Sequence, residues 1–439
     1  MNEHIRTFVG GIHPAGHGKE LSDARPVRVA PLLDRYRVVV AQSVGKPPKV
    51  VVNPGDTVKK YQLIAAAEGP VSANLHSPTS GKVAGMVEVP GAAGVPVAAV
   101  EIESDGLDEA GELLPPLDWR NCDAATLLRR CAEAGLVGMG GAAFPTHVKL
   151  APPPEKKIDV LILNGAECEP YLTADHRLMA ETPEAVLEGA AIAAKILGVG
   201  EIVVGVELNK RDAIAVLRER AAGSGIRIEP LKVRYPQGSE KQLIFSLTGR
   251  RVPTGGLPMD AGCVVQNVGT AAALADAVVR GLPLIERIVT VTGEAVAEPG
   301  NWRMRIGTPV IKAVEWAGGV TEEPGKLILG GPMMGFAQRS FDGIVCKNTS
   351  GILLLPRGVA VNYGSNPCIR CGRCVAACPM NLVPCSLANA VEAERFELAV
   401  RNHVTDCLEC GACAYVCPAH RPLVQHMRRA KAEIRRRKK

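Results

Sequence analysis

Eight of the fourteen cysteines in this 439-residue chain form two copies of one spacing pattern. In each copy, three cysteines are separated by two residues, a fourth follows after three more residues, and a proline comes next. Three thiolates at this spacing can wrap one loop around three irons of a cubane, while the fourth cysteine, beside the proline, points to the neighbouring cluster. The pattern therefore predicts two [4Fe-4S] clusters.

Each predicted cluster takes three ligands from one copy of the pattern and one from the other. The first cluster is expected to bind Cys368, Cys371, Cys374 and Cys417, and the second Cys407, Cys410, Cys413 and Cys378. Zinc is the alternative, but structural zinc sites usually take four ligands from two cysteine pairs, not four cysteines from each motif. We interpret the six other cysteines as buried structural thiols: Cys122, Cys131, Cys168, Cys263, Cys346 and Cys385.

Composition indicates a multidomain protein made in the cytoplasm. With 439 residues, of which 47% are hydrophobic, the chain is long enough for about three domains. It has no apolar run of about 18 residues, and its N-terminus, MNEHIRTFVGG, lacks the apolar stretch of a signal peptide. Cysteines without a secretory signal favour metal ligation over disulfides, because the cytosol keeps thiols reduced.

Positive charge is concentrated at the C-terminal end. The net charge is +6, and eight of the last twelve residues are Lys or Arg. A nucleic-acid-binding surface would interleave basic and aromatic residues, and because no such stretch occurs, nucleic acid is not an expected partner. Residues 428–439 are predicted to be a solvated, disordered tail, with docking to an acidic protein or to anionic lipid headgroups as the alternative.

Four domains are predicted ahead of this tail, so the expected fold class is multidomain α/β and β. The predicted order is a β domain, an α/β domain, a small β-grasp-like (SLBB) module and a helical two-cluster ferredoxin-like domain, with boundaries at 1–110, 111–284, 285–360 and 361–427. The segments VVNPGDTVKKYQLIA and NLHSPTSGKVAGMVEV resemble the barrel-sandwich hybrid fold of biotinyl and lipoyl carrier domains. Because Gly69-Pro70-Val71-Ser72-Ala73 stands where such a domain has its carrier lysine, we expect a structural module without a swinging arm.

A glycine-rich segment opens the α/β domain. Glycines at 135, 138, 140 and 141 free the backbone to approach a ligand closely, as phosphate-binding loops do. The series Gly138-x-Gly140-x-x-Ala143 nearly fits the dinucleotide fingerprint, but a predicted helix precedes it instead of a strand. By itself this segment predicts no more than a glycine-rich loop.

Polar residues follow the predicted strands of the same domain. Asn164, Glu167 and Glu169 follow one strand, and the segments YPQGSEK and QNVGT follow two others. Ligands of α/β proteins bind at the carboxyl ends of parallel strands, so these residues are candidates for one binding site.

The loops taken together resemble a known family. GMGGAAFPTHVK, NGAECEPYLTADHRLM, YPQGSEK and VQNVGT are similar to the flavin- and NADH-binding subunit of respiratory complex I. The order of the whole chain, from GGIHPAGHGKEL through the carrier-like module to two C-terminal cluster motifs, resembles more closely the RnfC family of the Rnf electron transport complex. The resemblance covers nearly all of the chain.

The resemblance implies a site for FMN and NAD(H). Its members would be Gly138, Gly140, Gly141, Phe144, Lys149, Asn164, Glu167, Glu169, Gly238, Glu240, Asn267 and Thr270. The glycines and Lys149 would line the flavin, Phe144 would stack on nicotinamide or adenine, and Thr270 would hold the flavin phosphate. The two asparagines would bind the flavin's ring or ribityl chain, and Glu169 and Glu240 the NADH. Ser239-Glu240 and Gln266-Asn267 depart from the glutamate and asparagine pairs of complex I.

The implied function is transfer of electrons between NAD(H), FMN and two [4Fe-4S] clusters. A flavin converts between the two-electron chemistry of NADH and the one-electron chemistry of clusters. The expected partners are ferredoxin and the membrane subunits of an ion-translocating complex, with this chain bound peripherally at the cytoplasmic face. Two alternatives remain open: a soluble flavin and iron-sulfur reductase of the cobalamin reductase type, and an electron-relay protein without flavin.

Overall fold

The computed structural model describes residues 5–91, 94–360 and 364–437. Four structural units follow one another in the predicted order, and each predicted fold class is confirmed. The differences from the expected boundaries concern the N-terminal segment and the C-terminal basic residues.

The first unit is a sandwich of two small antiparallel sheets. Its strands are β2 (Arg35–Val39), β3 (Lys49–Val50), β4 (Thr57–Val58), β5 (Leu63–Ala66), β6 (Leu75–His76), β7 (Gly81–Pro90) and β8 (Pro96–Ser104), in the orders β2-β8-β7-β4 and β3-β5-β6. Alternate residues point inward, so that Tyr36 and Val38 are buried. Gly81 is required, because a Cβ there would lie 1.9 Å from the carbonyl oxygen of Glu103.

The N-terminal segment leaves this sandwich and packs on the other units. Strand β1 (Arg28–Val29) pairs in parallel with a strand of the third unit, and Ile12 forms an antiparallel bridge with Tyr235 of the second. The predicted boundary at residue 1 therefore differs from the structure, since the segment before residue 30 connects domains instead of belonging to the sandwich. A polar, glycine-rich segment gave no hydrophobic period that could reveal this.

The second unit is an α/β domain with a parallel four-stranded sheet in the order β11-β10-β9-β12. Its elements are α1 (Ala124–Glu133), α2 (Thr146–Lys149), β9 (Val160–Gly165), α3 (Ala174–Glu181), α4 (Pro183–Leu197), β10 (Glu201–Glu207), α5 (Arg211–Arg220), β11 (Ile226–Leu231), α6 (Glu240–Thr248), β12 (Cys263–Asn267) and α7 (Val268–Val279). The strands are apolar on both faces because helices cover both sides, α6 on one and α4 with α7 on the other.

The third unit is a mixed sheet with one helix, as expected for a β-grasp-like module. Its elements are β13 (Glu286–Thr292), β14 (Gly300–Arg305), α8 (Val310–Trp316), β15 (Pro324–Leu329), β16 (Phe336–Gln338) and β17 (Gly351–Pro356), and the six-stranded sheet has the order β1-β14-β13-β17-β15-β16. Its own hydrophobic core surrounds Trp302, which is 2% exposed.

The fourth unit contains the cysteine motifs and is helical. Its helices are α9 (Arg373–Ala377), α10 (Pro384–Glu392), α11 (Phe396–Arg401), α12 (Ala412–Tyr415) and α13 (Leu423–Arg437). Short 3-10 turns elsewhere are Lys19–Leu21, Pro258–Ala261 and Val404–Asp406.

The predicted disordered tail is wrong for residues 428–437, which form most of α13. Met427 and Ala430 of this helix are buried against α10 and α11. Arg428 and Lys431 pair with Glu409, and Arg429 pairs with Glu394. The charge run therefore belongs to an amphipathic helix, a pattern hidden by its many basic residues. Lys438 and Lys439 lie outside the described residues.

Across the described part of the chain, we find no helix with the length and apolar character needed to cross a membrane.

Candidate functional site

The eight motif cysteines surround two separate cavities in the fourth unit. The first cavity is lined by Cys368, Cys371, Cys374 and Cys417, and the second by Cys378, Cys407, Cys410 and Cys413. The two sets are those predicted from the spacing, with each cavity receiving its fourth cysteine from the opposite motif. We call them the first and second cysteine cavities.

The thiols of each cavity do not converge on a single point. Among the described residues, no group of three or more His, Cys, Asp or Glu side chains is arranged to hold a metal ion. In a [4Fe-4S] cluster each iron binds its own cysteine, so the ligand sulfurs surround the cubane instead of meeting at one atom. The two cavities therefore fit clusters, whereas a single zinc ion would need four sulfurs at about 2.3 Å.

The second cysteine cavity lies against the α/β domain. The Tyr235 hydroxyl donates to the backbone carbonyl of Cys410 at 2.6 Å, and the Gln242 side-chain amide donates to the carbonyl of Pro379 at 2.9 Å. In the first cavity, by contrast, Cys371 is exposed to solvent. The two cavities are thus arranged in series, from the α/β domain towards the protein surface.

Asn164 and Asn267 lie side by side at the carboxyl edge of the parallel sheet. They are register partners at the ends of β9 and β12, and each is two residues beyond an apolar residue of the same core cluster, Ile162 and Val265. Because side chains alternate along a strand, both asparagines face the same side of the sheet. The Asn164 amide nitrogen donates to the carbonyl of Gly238 at 2.7 Å, which brings the YPQGSEK loop to the same edge.

The glycine loop lies over Asn267. A Cβ on Gly140 would be 3.1 Å from the Asn267 side chain, so a larger residue would separate the loop from the sheet edge. Gly140 and Gly141 are exposed, and a Cβ on Gly141 would meet no protein atom within 4 Å. The exposed backbone of these two residues therefore forms an open surface beside the asparagines.

Thr270 and Phe144 shape the loop from within. The backbone N–H of Met139 donates to the Thr270 hydroxyl at 2.9 Å, and Thr270 is 1% exposed. The N–H of Gly138 donates to the carbonyl of Phe144 at 2.9 Å, and the Phe144 side chain is half-buried. The structure thus shows Thr270 supporting the glycine loop, and its predicted contact with phosphate stays a prediction.

Lys149 and Glu240 form an ion pair between the glycine segment and the start of α6, with 2.5 Å between Nζ and Oε1. Their side chains are 25% and 43% exposed, so both can reach a ligand from solvent. The pair supplies one cation and one carboxylate at the edge of the predicted site.

Glu167 is buried and holds the start of α3. Its carboxylate accepts from the backbone N–H groups of Asp175 at 2.7 Å and His176 at 3.2 Å. Burial raises the pKa of this carboxyl to about 7, against the attraction of the Lys19 ammonium 4.0 Å away. Glu167 therefore orders the loop after β9.

Glu169 connects the α/β domain to the third unit. Its carboxylate accepts from the backbone N–H groups of Met333 at 3.0 Å and Met334 at 2.8 Å, and burial raises its pKa to about 7. The carbonyl oxygen of Met333 lies 3.2 Å from where a Cβ on Gly411 would be, beside Cys410. Glu169 thus holds a loop against the second cysteine cavity, and its predicted contact with NADH remains untested.

Sequence reasoning missed four buried charged residues around the site. Lys210, 1% exposed, donates to the carbonyl of Ala166 at 2.7 Å. The others are Lys19, which donates to the carbonyl of Glu167, Asp175, which accepts from Asn267, and Arg287, which donates to the carbonyl of Met139. An isolated charged residue in a sequence looks the same whether it is solvated or buried, and only the segment GGIHPAGHGKEL offered a signal for Lys19.

Four family models match the chain in the order of its structural units. The RnfC barrel-sandwich hybrid domain matches residues 6–107, the Nuo51 FMN-binding domain 131–276, the SLBB domain 288–337 and a 4Fe-4S dicluster domain 367–420. Together these matches cover each unit of the fold.

Relatives match over almost the whole chain. The RnfC-type component of the proton-translocating ferredoxin:NAD(+) oxidoreductase complex of Clostridium ljungdahlii is 48% identical, covering 98% of this chain and 94% of that one. The chain belongs to the RnfC family. The corresponding component of the Na(+)-translocating complex of Acetobacterium woodii is 46% identical over 99% of this chain and 98% of its own. An RnfC protein of Rhodobacter capsulatus is 44% identical over 97% and 82%.

Solved structures share the fold of this RnfC member. An NAD+-reducing [NiFe]-hydrogenase in its H2-reduced state gives a TM-score of 0.52 with 21% identity, covering 73% of this chain and 65% of that one. At this identity the likeness establishes the arrangement of the units and nothing about their chemistry.

Proposed function

We propose that this RnfC protein transfers electrons between NAD(H), FMN and two [4Fe-4S] clusters within an ion-translocating ferredoxin:NAD(+) oxidoreductase complex. Its partners are ferredoxin and the membrane subunits of that complex, and it binds peripherally at the cytoplasmic face of the membrane. The observation that carries the proposal is the serial arrangement of an open glycine loop, the second cysteine cavity and the first cysteine cavity.

The residues at the sheet edge fit FMN. Gly140 and Gly141 expose their backbone, Lys149 supplies a cation for a phosphate, and Asn164 has an amide beside the loop of Gly238. When bound, the flavin exchanges a hydride with NAD(H) and single electrons with clusters. The remaining work of this site is to bind, orient and exclude water, for which the buried polar contacts of the loops are suited.

The cysteine cavities fit [4Fe-4S] clusters by donor number and chemistry. Each is lined by four motif cysteines, and the polar contacts of Tyr235 and Gln242 fix the second cavity against the α/β domain. Burial and hydrogen bonds to sulfur are the means by which the protein sets cluster potentials.

An anaerobic spectrum of the purified chain tests the proposal. Flavin and iron are quantified, and the spectrum is recorded before and after addition of NADH. We expect one flavin and about eight irons per chain, with bleaching of the flavin band on NADH addition. Iron without flavin, and no response to NADH, would leave an electron-relay protein and reject the NADH-linked function.

Peripheral membrane binding is tested separately. In the assembled complex, carbonate or high-salt washing should release this chain while the other subunits stay in the membrane. Retention after both washes would contradict peripheral association.

A further inference from the structure

A fifth cysteine lines the first cysteine cavity. Cys385 lies at its wall together with Cys374 and Cys417, and its side chain is partly buried against the core of the fourth unit. The sequence motif gives it no role, since it comes seven residues after Cys378, outside the spacing of the motif cysteines.

Cys385 occupies the second position of α10, directly after Pro384. Backbone N–H groups in the first turn of a helix have no partner within the helix. The N–H of Cys385 donates to the sulfur of Cys374, and the two side-chain sulfurs are also within hydrogen-bond distance of each other. Cys374 is thus contacted twice by the same residue.

The direction of the sulfur-to-sulfur hydrogen bond follows from iron binding. A cysteine that binds iron does so as a thiolate, which has no proton to donate. The proton between the two sulfurs must then belong to Cys385, whose thiol is not among the predicted ligands. Cys385 is therefore a donor to a ligand sulfur.

The second cysteine cavity has no equivalent among the described residues. Its wall contains Cys378, Cys407, Cys410 and Cys413, and the helix residues that complete it are apolar: Leu387, Val424 and Met427. The two cavities therefore differ by one thiol donor, although their ligand spacings are the same.

We propose that Cys385 is a positioning residue whose thiol donates a hydrogen bond to the Cys374 sulfur and raises the reduction potential of the first cluster alone. A reduced cluster carries one more negative charge, which spreads onto its ligand sulfurs, so a donor at a ligand stabilises the reduced form more than the oxidised form. This inference rests on the proposed function only in requiring that both clusters are present.

The test is a redox titration of the whole purified chain, followed by EPR, which gives the midpoint potentials of both clusters. Cys385→Ala and Cys385→Val both remove the donor, and the valine fills the space if the smaller side chain disturbs packing. Cys385→Ser keeps a donor of similar shape. Cys122→Ala, a partly buried thiol of the α/β domain, is the matched control.

We expect the alanine and valine variants to keep about eight irons while one of the two midpoints shifts to lower potential. The serine variant and the Cys122 control should keep both midpoints. Unchanged midpoints in the alanine and valine variants would overturn the proposal, as would loss of about half the iron, which would make Cys385 a ligand. A wild-type chain without clusters would instead reject the proposed function, so the two failures are distinguishable.

Discussion

Lys347 has its ammonium group enclosed where three units meet. It is 1% exposed and donates to the carbonyl of Asn74 in the sandwich and of Gly135 before the glycine loop, both at 2.7 Å. Burial lowers the pKa of Lys347 to about 7. The same enclosed site lowers the pKa of His76 to about 3, through burial and the nearby Lys347 charge.

The lowered pKa of Lys347 predicts a pH-dependent stability. Between pH 7 and pH 10 the unfolded chain binds a proton at this lysine that the folded chain does not, so stability rises with pH, by up to about 1.4 kcal/mol per pH unit. Below pH 7 both states are protonated and the contribution is constant. We expect the Tm of the wild type to rise relative to Lys347→Met across this window in calorimetry.

The control for this prediction is Lys49→Met, which replaces an exposed lysine of the sandwich. Its Tm should follow that of the wild type at every pH. If the Lys347→Met curve also runs parallel to the wild type, Lys347 does not change its protonation between the folded and unfolded states in this range.

Glu169 is predicted to hold the loop at Met333 in place. Glu169→Ala leaves the N–H groups of Met333 and Met334 without their acceptors, at a cost of about 2 kcal/mol. Their amide hydrogens should then exchange about thirty-fold faster. Glu169→Gln keeps one carbonyl acceptor and should have a smaller effect. Equal exchange in the wild type and in the alanine variant would show that the carboxylate does not secure the loop.

At the scale of elements, the glycine loop separates a folding role from a binding role. A Cβ on Gly141 would meet no protein atom within 4 Å, so Gly141→Ala should keep the Tm of the wild type. The added methyl group would occupy the surface on which the flavin is proposed to bind. We therefore expect purified Gly141→Ala to contain less flavin than the wild type, by fluorescence after acid release.

Gly200→Ala is the matched control, because its Cβ also meets no protein atom but lies outside the proposed site. It should retain both stability and flavin. Full flavin content in Gly141→Ala would place the cofactor elsewhere than on this loop.

Helix α13 is predicted to stabilise the cluster domain through its basic residues. Lys431 donates to the carbonyl of Cys407 at 2.6 Å and, with Arg428, pairs with Glu409. Removal of residues 428–439 should lower the iron content, since it exposes the buried core beneath Met427. Removal of residues 438–439 alone should not. Equal iron in both truncated chains would support a dispensable tail.

At the scale of the whole molecule, the four units differ in what stabilises them. The α/β domain and the third unit have extended apolar cores, whereas the core of the fourth unit is small and includes the ligand cysteines Cys374, Cys378 and Cys413. Cluster binding therefore contributes directly to folding of the fourth unit.

Removal of iron should accordingly unfold one unit and leave the others. After treatment with a chelator and an oxidant, limited proteolysis should cleave within residues 364–437 while the α/β domain stays resistant. Mass spectrometry of the fragments locates the cuts. Unchanged resistance of the fourth unit would mean that its helices pack stably without clusters.

The sequence by itself determined the chemistry and the order of the units. Cysteine spacing is local, so the division of ligands between two clusters could be predicted from the motifs, and the structure surrounds two cavities with those same sets. Strand and helix periods likewise predicted the parallel sheet and the placement of Asn164 and Asn267 at its carboxyl edge. These features depend on neighbours in the chain.

The tertiary structure alone decided which polar residues support the site and which remain open to a ligand. Glu167, Glu169 and Thr270 make contacts with backbone groups that are distant in sequence, and the buried charges of Lys210 and Arg287 depend on the surrounding units. Likewise, the contact of Cys385 with Cys374 exists because a helix begins beside the first cavity. Burial and long-range partners are properties of the packed chain, and no local pattern encodes them.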